Sequence, residues 1–126
     1  MSPITTVLSA TVVALGIAPQ EDVTRESVDL IELNEAFAAQ VLCTLQAWQS
    51  AEFCRDRLGL PVPFGTIDPT KLNVKGSSLA VGHPFAATGA RILATLAKLI
   101  DQRGGGRGLI SVCTAGGMGV TAIVEK

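Results

Sequence analysis

The chain has a single histidine, a single tryptophan and no tyrosine among its 126 residues. Its three cysteines are an odd number and contain no Cys-x-x-Cys pair. This pattern argues against a disulfide scaffold and favours a reducing compartment. A structural zinc site would have to draw on scattered thiols and carboxylates, because only one imidazole is available. We therefore expect neither a disulfide framework nor a metal site.

The chain also lacks a strong charge of either sign. Ten Lys and Arg residues stand against eleven Asp and Glu residues, mixed along the sequence, for a net charge of −1. No basic surface for nucleic acid or for an anionic membrane is therefore indicated. An apolar stretch at residues 7–18 is too short to span a bilayer, and no basic residues precede it as in a secretory signal. We expect a cytoplasmic protein, or a mitochondrial matrix protein if the source is a eukaryote.

Hydrophobic periodicity and turn residues predict the element order α-β-α-β-α-β-β. The predicted elements are a helix at 3–16, a strand at 28–33, a long helix at 35–58, a short strand at 72–74, a helix from about 84 to 102, and strands at 108–113 and 120–125. Alternating helices and strands indicate an α/β fold with a mainly parallel sheet, whose last strand turns back antiparallel. Because no strand precedes the first helix, we expect residues 1–126 to form one incomplete domain that lacks its first strand.

Three chemically capable side chains follow three of the predicted strands. Asn34 comes directly after the first strand, His83 lies in the connection that leaves the second, and Cys113 ends the third. Ligands in parallel α/β sheets gather at the carboxyl ends of the strands, so we expect these residues on one edge of the sheet. Each also has a plainer interpretation: Asn34 as a helix N-cap, His83 as a structural histidine at a helix start, and Cys113 as a buried core thiol.

The neighbours of two of these residues favour a functional interpretation. His83 is flanked by Gly82 and Pro84, the two residue types that most constrain a backbone. Cys113 is followed by small residues from Ala115 to Gly117, whose backbone N–H groups can point into a site, as an oxyanion hole requires. A titratable imidazole and a thiol are thus predicted on two backbone corners that a reacting group can approach.

Three sequence blocks resemble the thiolases, specifically their C-terminal domain. They are NEAFA at 34–38, GHPFAATGAR at 82–91 and CTAGGMG at 113–119, in family order and spacing. The likeness extends over nearly the whole chain. It implies a thiolase-like C-terminal half-domain of a CoA-dependent acyltransferase that cleaves or forms 3-ketoacyl-CoA. The region from 47 to 68 and the FAATG string look most like the thiolase subunit of the fatty-acid β-oxidation complex.

The resemblance also implies a role for each candidate residue. His83 would activate the nucleophilic cysteine and contribute to the oxyanion hole for the thioester oxygen. Asn34 would hold a water that is the other donor of that hole. Cys113 would be the acid/base thiol that moves the proton on the acetyl carbon, and the backbone N–H of Ala115 would belong to a second oxyanion hole. No cofactor would be bound permanently, and a coenzyme A thioester would be the substrate.

The nucleophilic cysteine of the family lies in an N-terminal domain that this chain does not include. The mid-helix position predicted for Cys43 offers no oxyanion donors, so it cannot replace that cysteine. We therefore expect the chain alone to be inactive and to associate with an N-terminal thiolase half, with itself, or with a hydratase/dehydrogenase subunit of β-oxidation. Ketosynthases share the fold but need a Cys-His-His site, which one histidine cannot supply. A non-catalytic fragment or assembly module remains the alternative.

Overall fold

The computed structural model describes residues 25–114 and 118–126. In these residues the strands are β1 (Leu30–Leu33), β2 (Arg107–Thr114) and β3 (Met118–Glu125). They form one sheet in the order β1-β2-β3, with β1 parallel to β2 and β2 antiparallel to β3. The α/β class and the antiparallel last strand are therefore confirmed. The helix predicted at 3–16 lies outside the described residues.

The helices of the described residues cover both faces of this sheet. They are α1 (Ala38–Gln49), α2 (Ala51–Leu58), α3 (Ser78–Val81) and α4 (Ala86–Arg103), with a 3₁₀ turn at Pro69–Lys71. Helix α4 ends at Gly104, whose φ of 87° gives the left-handed cap that a glycine adopts without strain. None of the helices in the described ranges combines the length and the apolar character needed to cross a membrane.

The long helix predicted over 35–58 is wrong, because the structure divides it at Ser50. That residue is extended, with φ −79° and ψ 115°, and its hydroxyl accepts a hydrogen bond from the backbone N–H of Phe53 at 3.2 Å. Ser50 thus caps a second helix instead of continuing the first. Cys43 and Cys54, which were expected on one helix, lie on α1 and α2 respectively, and both are free thiols.

The strand predicted at 72–74 is also wrong. Only Leu72 pairs with the sheet, through an isolated parallel bridge to Ile31. The next residue, Asn73, has a φ of 46°, which turns the chain away from strand geometry. Its side chain accepts from the N–H of Leu33 at 2.9 Å and donates to the carbonyl of Leu33 at 3.0 Å. One asparagine side chain thus satisfies the edge of β1 where a strand was expected.

The core lies on both faces of β1, which is buried along its whole length. Alternate residues of a strand point to opposite faces. Ile31 and Leu33 belong to one cluster with Val28, Val41, Trp48, Ile67 and Leu109. Leu30 belongs to the other cluster, with Ile92, Leu96, Ile100 and Ile110. Helices therefore fix the position of β1 from both sides, and with it the residue that follows the strand.

Candidate active site

Asn34 and Cys113 meet where the two parallel strands end. Leu33 of β1 pairs with Ser111 of β2, and the backbone N–H of Asn34 donates to the Ser111 carbonyl at 2.8 Å. The side-chain Nδ2 of Asn34 then donates to Sγ of Cys113 at 3.5 Å. Asn34 is 2% exposed, whereas Cys113 is half-buried. The parallel register thus places an amide donor against a thiol at the edge of the sheet.

The plainer interpretations of these two residues do not fit the structure. Helix α1 begins only at Ala38, and its N-cap residue is Phe37, which makes no side-chain capping bond. Asn34 is therefore not a helix cap. Cys113 is likewise not sealed in the core, because part of its side chain reaches solvent. A capping role and a core role therefore do not account for these two positions.

The carbonyl end of the Asn34 amide is held by Ser78 at the start of α3. The Ser78 hydroxyl donates to Oδ1 of Asn34 at 2.8 Å, and Ser78 itself is 5% exposed. Nη2 of Arg91, on α4, donates to the Ser78 hydroxyl at 3.0 Å and to that of Ser77 at 3.4 Å. Sequence reasoning missed Ser78, since a Gly/Ser segment without a known motif predicts only a loop.

Glu35 connects the end of β1 to the segment that carries α3. Its Oε1 accepts from Nδ2 of Asn73 at 2.8 Å, and its Oε2 accepts from the backbone N–H of Leu79 at 3.1 Å. Both carboxylate oxygens are therefore occupied by donors of the fold. Glu35 fixes α3, and hence Ser78, relative to the strand end.

His83 is attached to the first turn of α4. Its Nδ1 lies 2.7 Å from the hydroxyl of Thr88, which is fully buried, and its ring packs edge-on against Phe85 at a centroid distance of 5.6 Å. This contact joins one ring nitrogen to a side chain of the helix. A histidine that capped the helix would instead accept a hydrogen bond from a backbone N–H. Within the described residues Nε2 remains available for chemistry.

No hydrogen bond joins His83 directly to Asn34 or Cys113 in the described part of the chain. The connection runs through α4 instead, because Thr88 and Arg91 are three residues apart and so lie on the same helix face. Thr88 binds His83, and Arg91 binds the serine that holds Asn34. One turn of one helix thus anchors His83 directly and Asn34 through Ser78.

The backbone around His83 is unusual. Gly82 has a φ of 91° and Phe85 a φ of 34° with ψ −101°, and Phe85 is 85% exposed. A positive φ is costly for a bulky residue and tends to be retained where function requires a particular turn. The turn presents a large apolar side chain to solvent directly beside the imidazole.

A buried carboxyl group lies beneath the site, near the Arg91 guanidinium. Glu32, two residues before Asn34 on β1, is 1% exposed, and burial raises its pKa to about 7, even though the nearby Arg91 guanidinium lowers it and Glu35 adds a smaller increase. Among the described residues, neither Oε2 of Glu32 nor Nε of Arg91 finds a hydrogen-bond partner. The pair therefore interacts through charge and not through direct hydrogen bonds between these atoms.

Two further sequence expectations concern the backbone donor and metals. Ala115, expected to offer a backbone N–H to an oxyanion, lies outside the described residues. In the ranges that the structure describes, no group of three or more His, Cys, Asp or Glu side chains is placed to hold a metal ion.

Comparison with known proteins gives consistent matches. The family model for the thiolase C-terminal domain matches residues 3–126. A 3-ketoacyl-CoA thiolase of Shewanella sp. (strain W3-18-1) is 51% identical over 100 residues, which are 79% of this chain and 23% of the relative. One from Aeromonas salmonicida (strain A449) is 50% identical over 103 residues, 82% of this chain and 24% of that protein.

A solved structure gives the same picture. The Bacillus anthracis acetyl-CoA acetyltransferase superposes with a TM-score of 0.69 at 35% identity, covering 99% of this chain and 27% of that one. The chain thus spans about a quarter of the length of the relatives that it matches.

Proposed function

The chain belongs to the thiolase family through its C-terminal domain, and on that premise we propose that it supplies the proton-transfer groups of a coenzyme A-dependent acyltransferase. The substrate would be a 3-ketoacyl-CoA, cleaved by coenzyme A or formed in the reverse direction, with no resident cofactor. The observation that carries the proposal is the 3.5 Å contact between Nδ2 of Asn34 and Sγ of Cys113.

This contact suits the cleavage step. A cysteine thiolate attacks C3 of the substrate, the C2–C3 bond breaks, and its electron pair becomes the enolate of acetyl-CoA. The enolate carbon must then receive a proton while the enolate oxygen is stabilised by donors. The enolate carbon and the enolate oxygen are separated by only two bonds, so the group that protonates the carbon must lie next to the groups that donate hydrogen bonds to the oxygen. The Cys113 thiol would protonate the carbon, and a water held by Asn34 would donate to the oxygen.

His83 fits the remaining role of base and second donor. Thr88 engages Nδ1 and leaves Nε2 available, so Nε2 can accept the proton of the attacking thiol. The resulting Nε2–H can then donate to the enolate oxygen. In the second step coenzyme A attacks the acyl-cysteine through its sulfur and gives its proton to the Cys113 thiolate. The nucleophilic cysteine leaves as a thiolate and takes back the proton held on Nε2 of His83, which restores the starting state. Ala115 is proposed to supply a backbone donor for the acyl oxygen in that step.

The thiol that carries the acyl group is proposed to lie outside these 126 residues. Cys54 is fully buried, and its Sγ contacts the carbonyl of Trp48 at 3.5 Å and the N–H of Phe64 at 3.4 Å. This thiol holds the junction of α1 and α2 together. Cys43 is exposed in the middle of α1, away from any helix N-terminus that would activate a thiolate. Neither is placed as a nucleophile.

A chimaera tests the proposal. Residues 3–126 would replace the matching segment of the Shewanella 3-ketoacyl-CoA thiolase, and thiolysis of a 3-ketoacyl-CoA would be followed. We expect turnover, and a loss of at least about 100-fold on Cys113→Ala, which is the lower range for a general acid or base. The matched control is Cys43→Ala, which removes an exposed thiol in the middle of α1. An inactive chimaera beside an active parent would favour the non-catalytic alternative.

The isolated chain gives a complementary measurement. Because no thiol of the chain is placed to carry the acyl group, acetyl-CoA should leave no acyl-enzyme detectable by mass spectrometry. A stoichiometric acetyl adduct on Cys43, Cys54 or Cys113, accompanied by turnover, would contradict this expectation.

A further inference from the structure

The hydrogen bonds that link Arg91, Ser78 and Asn34 can run in only one donor-to-acceptor direction, because Arg91 can only donate. Arg91 has only N–H donors and no acceptor, so the Ser78 oxygen must accept the bond between them. The single proton of the Ser78 hydroxyl is then left for another partner. The nearest acceptor is Oδ1 of Asn34 at 2.8 Å. The guanidinium therefore determines which way the hydroxyl proton points.

The orientation of the Asn34 amide follows from that of Ser78. An amide can present either its oxygen or its NH₂ group to a neighbour, and the two ends have similar shapes. A hydroxyl that must donate selects the oxygen, so the NH₂ group is turned towards Cys113. Since Asn34 and Ser78 are 2% and 5% exposed, bulk water does not compete for these bonds.

We propose that Ser78 and Arg91 are positioning residues that lock the Asn34 amide with its NH₂ group towards the reacting atoms. The inference rests on the proposed function of Asn34. A water that accepts from Nδ2–H keeps both of its own protons to donate to a thioester oxygen. A water beside the amide oxygen would give one proton to the protein instead. The direction of the amide therefore decides how many donors reach the substrate.

The carboxylate of Glu32 supports this arrangement from below. It is buried on β1 and, when ionised, attracts the Arg91 guanidinium electrostatically. Arg91 is only half-buried, and its Nη2 reaches both Ser77 and Ser78. The shorter bond is the one to Ser78, which continues to Asn34.

The test uses the active chimaera and a double-mutant cycle. Ser78→Ala should lower kcat by about 10-fold, the kinetic equivalent of one lost hydrogen bond of about 1.4 kcal/mol, with KM little changed. Ser77→Ala is the matched control, because Ser77 is equally buried and contacts Arg91 but makes no bond to Asn34. That variant should keep kcat within about two-fold.

The second arm of the cycle separates positioning from general damage. If Ser78 acts through Asn34, then Ser78→Ala should cost almost nothing further in an Asn34→Ala background. The same 10-fold loss in both backgrounds would overturn the proposal, and so would a Ser78→Ala variant as active as Ser77→Ala. If Asn34→Ala itself were fully active, the proposed function of Asn34 would be wrong instead.

Arg91 gives an independent measurement that does not depend on removing the serine. Arg91→Lys retains a group that can only donate, whereas Arg91→Gln introduces an acceptor that can draw the Ser78 proton away from Asn34. We expect the lysine variant to retain several-fold more kcat than the glutamine variant, at equal thermal stability. Equal activity in the two variants would show that donor direction does not matter here.

Discussion

Asn34 is fixed by the sheet, whereas His83 is fixed by one side-chain contact to a helix. The backbone of Asn34 is bonded to β2, both ends of its amide have partners, and it is 2% exposed. His83 is half-buried on a turn with two positive φ angles, at Gly82 and Phe85. Because the two residues are held differently, replacing them should have different consequences. Loss of the imidazole should affect chemistry, and loss of the amide should affect stability as well.

The largest expected effect sharpens this contrast. In the chimaera, His83→Ala should lower kcat/KM by about 10²–10⁴-fold, as for a lost general base, because no other imidazole is present in the chain. Its unfolding free energy should fall by only about 1 kcal/mol, although the bond to Thr88 and the ring contact with Phe85 are lost, because a threonine hydroxyl on a helix can instead donate to a carbonyl one turn back. Thiolysis kinetics and urea unfolding would measure the two quantities.

Asn34→Ala should show the opposite balance. Its activity loss should be smaller than that of His83→Ala, because bulk water can partly replace a water-mediated donor. Its stability loss should reach about 1–3 kcal/mol, because the buried Ser78 hydroxyl is left without its acceptor. A His83→Ala variant with near-wild-type thiolysis would refute the assigned mechanism, whatever its stability.

The next effect is a pH dependence of stability that comes from the buried side chain of Glu32. Burial raises the pKa of Glu32 from an ordinary 4.5 to about 7 in the folded chain. Between these values the folded state holds a proton that the unfolded state has released, so stability falls as pH rises from about 4.5 to 7 and then levels off. The contribution lost across this window is at most about 3 kcal/mol.

Glu32→Gln should remove that slope and leave the chain at least as stable as wild type at pH 8. The control is Glu52→Gln on the exposed surface of α2, which should leave the slope unchanged. Urea unfolding at intervals from pH 4.5 to 8 would provide the measurement. If stability instead rose with pH through this range, by the same amount in the wild type and in both variants, Glu32 would be ruled out as the origin of the pH dependence.

The sequence predicted the parts of the fold that have a strong local signal. Helix α4 has a regular apolar stripe and a glycine stop, and β2 and β3 are apolar runs around a glycine-rich turn, so their bounds were nearly right. The placement of Asn34 and Cys113 also followed, because a parallel register brings strand ends together. These features depend on periodicity and topology, which a single sequence carries.

Other parts could not be predicted, for identifiable reasons. Ser50 is compatible with a helix interior and becomes a cap only through its bond to Phe53. Asn73 interrupts an apparent strand because its side chain finds the edge of β1. Ser78 reaches Asn34 across 44 positions of sequence. Each depends on a tertiary contact between distant or alternative partners, and no local pattern encodes such a contact.

The smallest expected effects come from two glycines, one on strand β2 and one on helix α4, when each is replaced by alanine. Gly108 of β2 pairs with Leu30 of β1, and a Cβ there would lie 2.6 Å from Cδ1 of Leu96. Leu96 is fully buried and cannot move aside freely, so Gly108→Ala should destabilise the sheet side by about 1–3 kcal/mol. Gly89, beside Thr88 on α4, has open space around its Cβ position. Gly89→Ala should therefore stabilise the chain by about 0.5–1 kcal/mol.

Opposite signs of the two changes in urea unfolding would confirm that β2 is closely packed against α4 at Gly108, while the helix turn at Gly89 has room to adjust. Each substitution adds one methyl group, so the chemical change is identical and only the surroundings differ. If Gly108→Ala were neutral, Leu96 would have space to move, and the close packing of β2 against α4 would be refuted.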